Sequence, residues 1–303
     1  MKTPLDGRVA IVTGAGGGLG RAHALYLARQ GARVVVNDLA QTAADAVAGE
    51  IVAQGGAALP IAASVTDEQA IAAMVSRVLA QWDRIDILVN NAGILRDKSF
   101  AKMSLDDFRL VVDVHLMGSV ICTKAVWDTM RAQRYGRIVM TTSSSGLFGN
   151  FGQANYGAAK MALVGLMQTL AIEGSKYGIT VNCLAPSAAT QMTQGVLPDA
   201  SLTRLDPALV SPALLVLAGE DAPTRVILCA GGGHFACASV TLSLGRQIGG
   251  GDDAGERLAA QWPAVTERRG DLVPAYGFLQ AEREVDSAAR GARHSDADNT
   301  FPT

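Results

Sequence analysis

The stretch "VAIVTGAGGGLGRAHALYLARQG", residues 9–31, decides the fold. Its apolar, largely β-branched start, "RVAIVTG" once Arg8 is included, reads as a buried strand. "LGRAHALYLARQG" reads as a helix that ends on Gly31. The glycine-rich turn between them is no phosphate loop of the G-K-[ST] kind, because Arg21 and Ala22 follow Gly20. The strict G-x-G-x-x-G pattern fails at Leu19. Gly14, Gly18 and Gly20 fit G-x-x-x-G-x-G. Such glycines let the backbone turn tightly and approach a pyrophosphate, and the helix starting near Leu19 aims its first N–H groups at that anion. A glycine loop alone is a weak signal. Here a strand precedes it, a helix follows it, and a second strand, "VVVND", ends on Asp38. That carboxylate stands where a ribose 2′-OH is bound, and it repels a 2′-phosphate. The following "NDLAQTAAD" holds no basic residue, so NAD is favoured over NADP. The plainer alternative makes Asp38 a turn residue at a strand end.

Outward from this unit the alternation continues. "ALPIAA", "IDILVNNAG", "GRIVMTTS", "ITVNCLAP" and "RVILCAGG" read as strands. Amphipathic helices separate them, one opened by Thr66 and Asp67, one long helix capped by Ser104, one holding Tyr156, and one over "DPALVSPALLVLAG". Strands apolar throughout and alternating with helices imply a parallel sheet covered on both faces. The expected architecture is therefore α/β, a Rossmann-like doubly wound sheet in three layers, α/β/α. Residues 1–244 form the nucleotide-binding and catalytic domain. The pattern fades after about residue 244, a C-terminal extension follows over 245–285, and "GGGDDAGE" within it reads as a flexible break. The small polar residues of 286–303 suggest a disordered tail.

Composition narrows the function classes. The chain has 303 residues, 49% apolar and 18% charged, with a net charge of −2 and no basic run, which argues against nucleic acid as a partner. The start, "MKTPLDGRVAIV", does not read as a signal peptide, and no run approaches the ~18 apolar residues of a spanning helix. Cys122, Cys183, Cys229 and Cys237 form no C-x-x-C or zinc spacing, so no metal is expected and reduced thiols in a cytoplasmic protein are. The C-terminal "FPT" is no peroxisomal address.

One pair remains. Tyr156 and Lys160, in "NYGAAK", share a helix face, with Ser143 thirteen positions before the tyrosine. Alone, the pair reads as surface decoration and Ser143 as a hydroxyl capping a turn. With the glycine loop, "NNAG" at 90–93 and Ala185–Pro186, the chain resembles the short-chain dehydrogenase/reductase family from about Leu5 to Gly233. "NNAGILRDKSF", "YGRIVMTTSSSGLFGNFGQANYGAAK" and "CLAPSAATQMT" are similar to one branch, the dehydrogenase units of peroxisomal multifunctional enzymes of type 2. These oxidise (3R)-3-hydroxyacyl-CoA with NAD, and relatives act on 17β-hydroxysteroids.

The resemblance assigns roles. Tyr156 is the base, its pKa lowered by the Lys160 ammonium together with the positive nicotinamide. Lys160 also holds the nicotinamide ribose, and Ser143 orients the substrate oxygen. Asn91, Ala92 and Gly93 line the adenosine ribose, with Asn90 as readily structural. Pro186 and Thr190 lie near the carboxamide. Four positions depart from the common pattern. His115 replaces the Asn of a proton relay, and an interior His bonded to a backbone carbonyl is the alternative. Ser64 replaces an Asp near the adenine, passing that contact to itself or to the Val65 backbone. Ser187 stands where Gly is usual, and the extension is long. Arg96 and Lys98 are either substrate contacts or members of a solvated loop. The variable loop "TQMTQGVLPDASLTRLDPA" shapes the substrate pocket.

The leading expectation is an NAD-dependent dehydrogenase of secondary alcohols, with an acyl-CoA or a steroid as the small-molecule substrate. A free-steroid 17β-hydroxysteroid dehydrogenase is the alternative within that class, and a non-catalytic dinucleotide sensor or scaffold the alternative outside it. The small and apolar helix faces of "YGAAKMALVGLMQTLAIEG" and "LMGSVICTKAVW" suit a homodimer or homotetramer, and no membrane insertion is expected.

Overall fold

The structure, a computed structural model, describes residues 3–190 and 202–298. Seven parallel strands and one antiparallel strand form a sheet in the order β3-β2-β1-β4-β5-β6-β7-β8. The strands are β1 (Val9–Thr13), β2 (Arg33–Asp38), β3 (Ala58–Ala62), β4 (Ile87–Asn90), β5 (Gly136–Thr141), β6 (Ile179–Ser187), β7 (Ile227–Gly231) and β8 (His234–Ala238). Order reverses between β1 and β4, which pair directly at Ala10–Ile87, Ile11–Leu88 and Val12–Val89. Ligands bind doubly wound sheets beyond the strand ends at that reversal.

Two cores explain why each strand is apolar at every position. On one face Ala10, Val12, Val34 and Val36 pack with Leu27 of α1 (Gly18–Arg29), Val47 and Ile51 of α2 (Gln41–Ala53), and Leu214. On the other, Val9, Ile11, Val35 and Leu88 meet α3 (Glu68–Trp82), α5 (Gly118–Gln133) and α7 (Ala154–Gly174) through Val78, Val126 and Leu163. Successive residues of β1 thus enter opposite layers, as the two-residue period of a strand requires. Asp67 caps α3 by accepting from Gln69 N and Ala70 N at 3.0 Å. Ser104 caps α4 (Leu105–Val112) through Asp107 N.

Several expectations change. The long helix is α4 and α5 joined by a π-helical turn, Asp113–Met117. As a whole, Leu105–Gln133 is long and apolar enough by length and composition to cross a membrane, which the sequence reading assigns to no run. Val111, Cys122, Val126 and Met130 are buried along it, the last three in the second core. The single helix expected over residues 206–219 is a 3₁₀ turn, Pro207–Leu209, then a helix at Ala213–Ala218. Pro212, which has no N–H to donate, stands between them. The sheet is not wholly parallel, because "AGGG" closes a hairpin from β7 to β8. Gly232 and Gly233 take φ +57° and +78°, the signs a two-residue hairpin turn requires.

The chain separates into two compact units at Ala238/Ser239, ahead of the composition break near 244. The second unit holds a Leu242–Leu272 bridge and helices at Ala254–Ala260, Trp262–Val265 and Leu279–Asp298. The last occupies much of the tail expected to be disordered. Its Ala, Glu and Arg are strong helix formers, so poverty in apolar residues does not forbid a helix there. The terminal "FPT" lies outside the described residues.

Candidate active site

A cleft of about 680 Å³ opens beyond the ends of β1, β4, β5 and β6. One wall is the glycine loop. Gly14 sits at φ +62°, and a Cβ there would come within 2.9 Å of Ala92 Cα. A Cβ on Gly20 would lie 2.1 Å from the Gly14 carbonyl oxygen, so only glycine lets α1 start this close to β1. Gly17, the N-cap of α1, brings no side-chain acceptor, which leaves the first-turn N–H groups available to an anion. The backbone cradle and the donor set fit a dinucleotide pyrophosphate.

Asp38 closes the loop from the side. Its Oδ2 accepts from Gly16 N at 2.9 Å and its Oδ1 from Ala40 N at 3.3 Å. The turn role is thus seen, and the half-buried carboxylate also lines the cleft, so the turn reading does not exclude a cofactor contact. Asn91 serves the scaffold. Its Nδ2 donates to Thr13 O and Gly14 O at 2.9 and 3.2 Å, while Thr13 Oγ1 accepts from Asn91 N and Ala92 N. Asn90 is internal, donating to Thr123 Oγ1 at 3.0 Å.

Of the other expected cofactor residues, Leu19, Gly18, Ala92, Gly93, Pro186 and Thr190 all stand on the cleft wall. Ser64 and Val65 do not. Ser64 Oγ is bonded to Thr66 Oγ1 at 2.8 Å, and Val65 is buried where a Cβ on Gly118 would strike it. Most of the variable loop, residues 191–201, lies outside the described residues.

Ser143, Tyr156 and Lys160 meet on the wall of the same cleft. Ser143 follows β5 and caps a short helix, α6 (Ser144–Phe148), accepting from Ser145 N at 3.2 Å. Lys160 is 3% exposed, and its Nζ donates to Thr141 O at 2.5 Å and sits 5.5 Å from the Tyr156 ring centroid. Burial pushes its ammonium from 10.5 down to about 7. For Tyr156 the ammonium by itself does not produce the lowered pKa expected of ammonium and nicotinamide together. In the protein alone burial raises it, contact with Ser143 pulls it back, and the Asp97 carboxylate adds to the rise. A phenolate in a low-dielectric wall is costly, and burial outweighs the other influences until a cofactor is bound.

His115 follows its interior reading. Its Nε2 lies 2.8 Å from Ile94 O and 3.0 Å from Ile94 N, and its ring stands edge-on to Tyr156 with centroids 5.1 Å apart. Burial, then the Lys160 charge, pushes it down to about 3, so it is neutral at ordinary pH. The ring fills the space over Gly93, where a Cβ would lie 2.2 Å from Cε1. Nδ1 has no protein partner and is the atom through which a relay would have to pass.

Sequence reasoning misses a polar cluster beside Tyr156. Gln153 Nε2 donates to Asp97 Oδ2 at 2.6 Å, and its Oε1 accepts from Ser145 Oγ at 2.7 Å and Asn150 Nδ2 at 3.2 Å. Buried Asn155 donates to Arg96 O at 3.1 Å and accepts from Tyr156 N at 2.8 Å, tying the 94–99 loop to α7. The contiguous "GQANY" is the signal that could have found it. Arg96 and Lys98 turn to Asp107, with Lys98 Nζ at 3.0 Å. Among the described residues no cluster of His, Cys, Asp and Glu could hold a metal.

Comparison with known proteins bears on this geometry. Residues 8–200 match the family described as short chain dehydrogenase. The chain is 50% identical over 229 residues to a peroxisomal multifunctional enzyme type 2 of Drosophila melanogaster, covering 73% of this chain and 38% of that one. It thus spans little more than a third of that relative's length. A short chain dehydrogenase from Mycobacterium avium superposes with a TM-score of 0.78 at 36% identity, covering 90% of this chain and 99% of that one. A 7α-hydroxysteroid dehydrogenase complexed with NADH and 7-oxo glycochenodeoxycholic acid superposes at 0.71, with 30% identity, over 77% of this chain and 96% of that one.

Proposed function

The chain belongs to the short-chain dehydrogenase family, oxidoreductases acting on CH–OH donors, and from that premise we propose that it oxidises (3R)-3-hydroxyacyl-CoA to the 3-oxoacyl thioester with NAD. The convergence of Ser143, Tyr156 and Lys160 in the cleft that the glycine loop also lines carries the reading. Its likeness to the multifunctional enzymes supports the acyl thioester.

The glycine loop and the start of α1 would hold the pyrophosphate, Asp38 the adenosine ribose, and Lys160 the nicotinamide ribose. Bound there, a nicotinamide dinucleotide supplies the hydride acceptor. Ser143 positions the carbinol oxygen by hydrogen bonding. Tyr156 removes the hydroxyl proton as the carbon becomes a ketone, and Lys160 favours the phenolate form at that moment. Asp38 repels a 2′-phosphate, which supports NAD over NADP.

Initial rates test the reading. A medium-chain (3R)-3-hydroxyacyl-CoA is expected to outrun 17β-estradiol by more than about tenfold in kcat/KM, and NAD to outrun NADP similarly. Rates favouring the free steroid would transfer the assignment to hydroxysteroids. A homo-oligomer belongs to the same proposal, because Leu110, Met117, Met161 and Ile172 leave apolar side chains exposed on α4, the π turn and α7. Sedimentation velocity is expected to show a dimer or tetramer, and a monomer alone would refute it.

A further inference from the structure

His115 touches Tyr156 and yet has no part in the steps above. It belongs to the π turn Asp113–Met117, where Ser119 Oγ donates to its carbonyl oxygen at 2.6 Å. Its ring is buried, stands on the cleft wall and lies at 88° to the Tyr156 ring, the one aromatic contact of that phenol among the described residues. Perpendicular packing is a preferred aromatic geometry. Tyr156 lies in the first turn of α7, where helices fray, so its direction depends on what packs against it. The other side of the imidazole reaches the loop after β4. Nε2 lies against Ile94 N and Ile94 O, the adjacent Leu95 lines the cleft, and Asn155 Nδ2 donates to Arg96 O. One side chain thus braces both the phenol and the loop that carries Leu95.

A proton conduit needs an entry and an exit, and this ring has no exit. With a proton on Nε2 it donates to Ile94 O, and without one it accepts from Ile94 N. A backbone amide hands on no proton at ordinary pH. A proton arriving at the unpartnered Nδ1 would therefore have to charge the ring, which burial opposes.

We propose that His115 is a positioning residue for Tyr156 and relays no proton: its ring sets the angle of the phenol, its Nε2 holds Ile94, and the proton taken by Tyr156 leaves without crossing the imidazole. This rests on the reading of Tyr156 as the base and deepens it, whatever the alcohol. Gly93 belongs to the same device, because a Cβ there would displace the ring from its place beside Tyr156. An asparagine at 115, able to pass a proton through water, would leave the phenol without that support.

Three substitutions set shape against proton transfer. His115→Phe keeps an aromatic ring and carries no proton. His115→Met also carries none, and its flexible chain fills the gap should Phe crowd the Ile94 backbone and lower the thermal melt. His115→Asn can pass a proton and has no ring. With a (3R)-3-hydroxyacyl-CoA and NAD, Phe is expected to keep kcat within about fivefold of the wild type, and Asn to lose about thirtyfold, with KM moving by less than about threefold in each. Met is expected to fall between them. Asn equalling or exceeding both Phe and Met, in an active wild type, overturns the role of His115 and leaves Tyr156 as the base. A wild type that reduces neither dinucleotide with this alcohol or with 17β-estradiol overturns the dehydrogenase reading and this inference with it.

Discussion

Tyr156→Phe is expected to lower kcat by about a thousandfold while KM for the alcohol moves by less than about threefold. The substitution deletes one hydroxyl and keeps the ring that stands 5.1 Å from His115, so the wall of the cleft keeps its shape. Substrate binding draws on Ser143, the loop and the cofactor, all unchanged. In the proposed mechanism, proton removal draws on the phenol alone among the groups at the site. His115 is neutral and bonded to Ile94, and Lys160 is bonded to Thr141 O. A thermal melt within about 2 °C of the wild type would show that the loss is chemical. Turnover that survived the substitution would remove the base from the mechanism.

Lys160→Met should lose activity and gain stability. Burial holds the folded-state pKa near 7 against 10.5 for the free side chain. Below about pH 7 the lysine is protonated in both states, and the full cost of burying the ammonium is present. Between 7 and 10.5 the unfolded chain binds the proton and the folded one does not, so stability rises with pH relative to a chain without the amine. Removing the charge therefore stabilises the cofactor-free protein most at or below pH 7. The gain is about 2 kcal/mol once the lost partner of Thr141 O is counted. The difference should shrink toward pH 10, as urea denaturation at several pH values would show. Activity should fall by about a hundredfold or more, because the charge that favours the phenolate has gone. A variant less stable than the wild type at pH 7 would show that the amine acts mainly as a structural donor.

These two residues are legible in the amino-acid order itself. A helix places positions four apart on one face, and a parallel sheet brings every strand end to the same edge. Ser143 after β5 and Gly14 after β1 must therefore share that edge with Tyr156. Asp38 is legible for the same reason, although its bond to Gly16 N is not. What escapes depends on side chains meeting across loops. The Asp97–Gln153 contact joins residues 56 positions apart, and no periodicity records it. Ser64 is assigned by position, yet a hydroxyl one bond shorter than the usual carboxylate finds Thr66 before it reaches the cleft. The π turn holds His115, whose ring packs over Gly93, a contact between the end of β4 and the long helix that local propensity does not encode. Pro212 and "AGGG" do carry their signals, a helix break and a hairpin, and each is a local rule outweighed in reading by a longer apolar pattern.

The mechanism proposed here has a phenol accept a proton as a secondary alcohol gives up hydride at this cleft. The most direct measurement is NADH formation from enantiomerically pure (3R)-3-hydroxyacyl-CoA by the full chain, with Tyr156→Phe run beside it. Steady NADH production by the wild type, about a thousandfold slower in the variant, is the predicted result. Equal rates in the two proteins, or no reduction of either dinucleotide by the wild type, would contradict it.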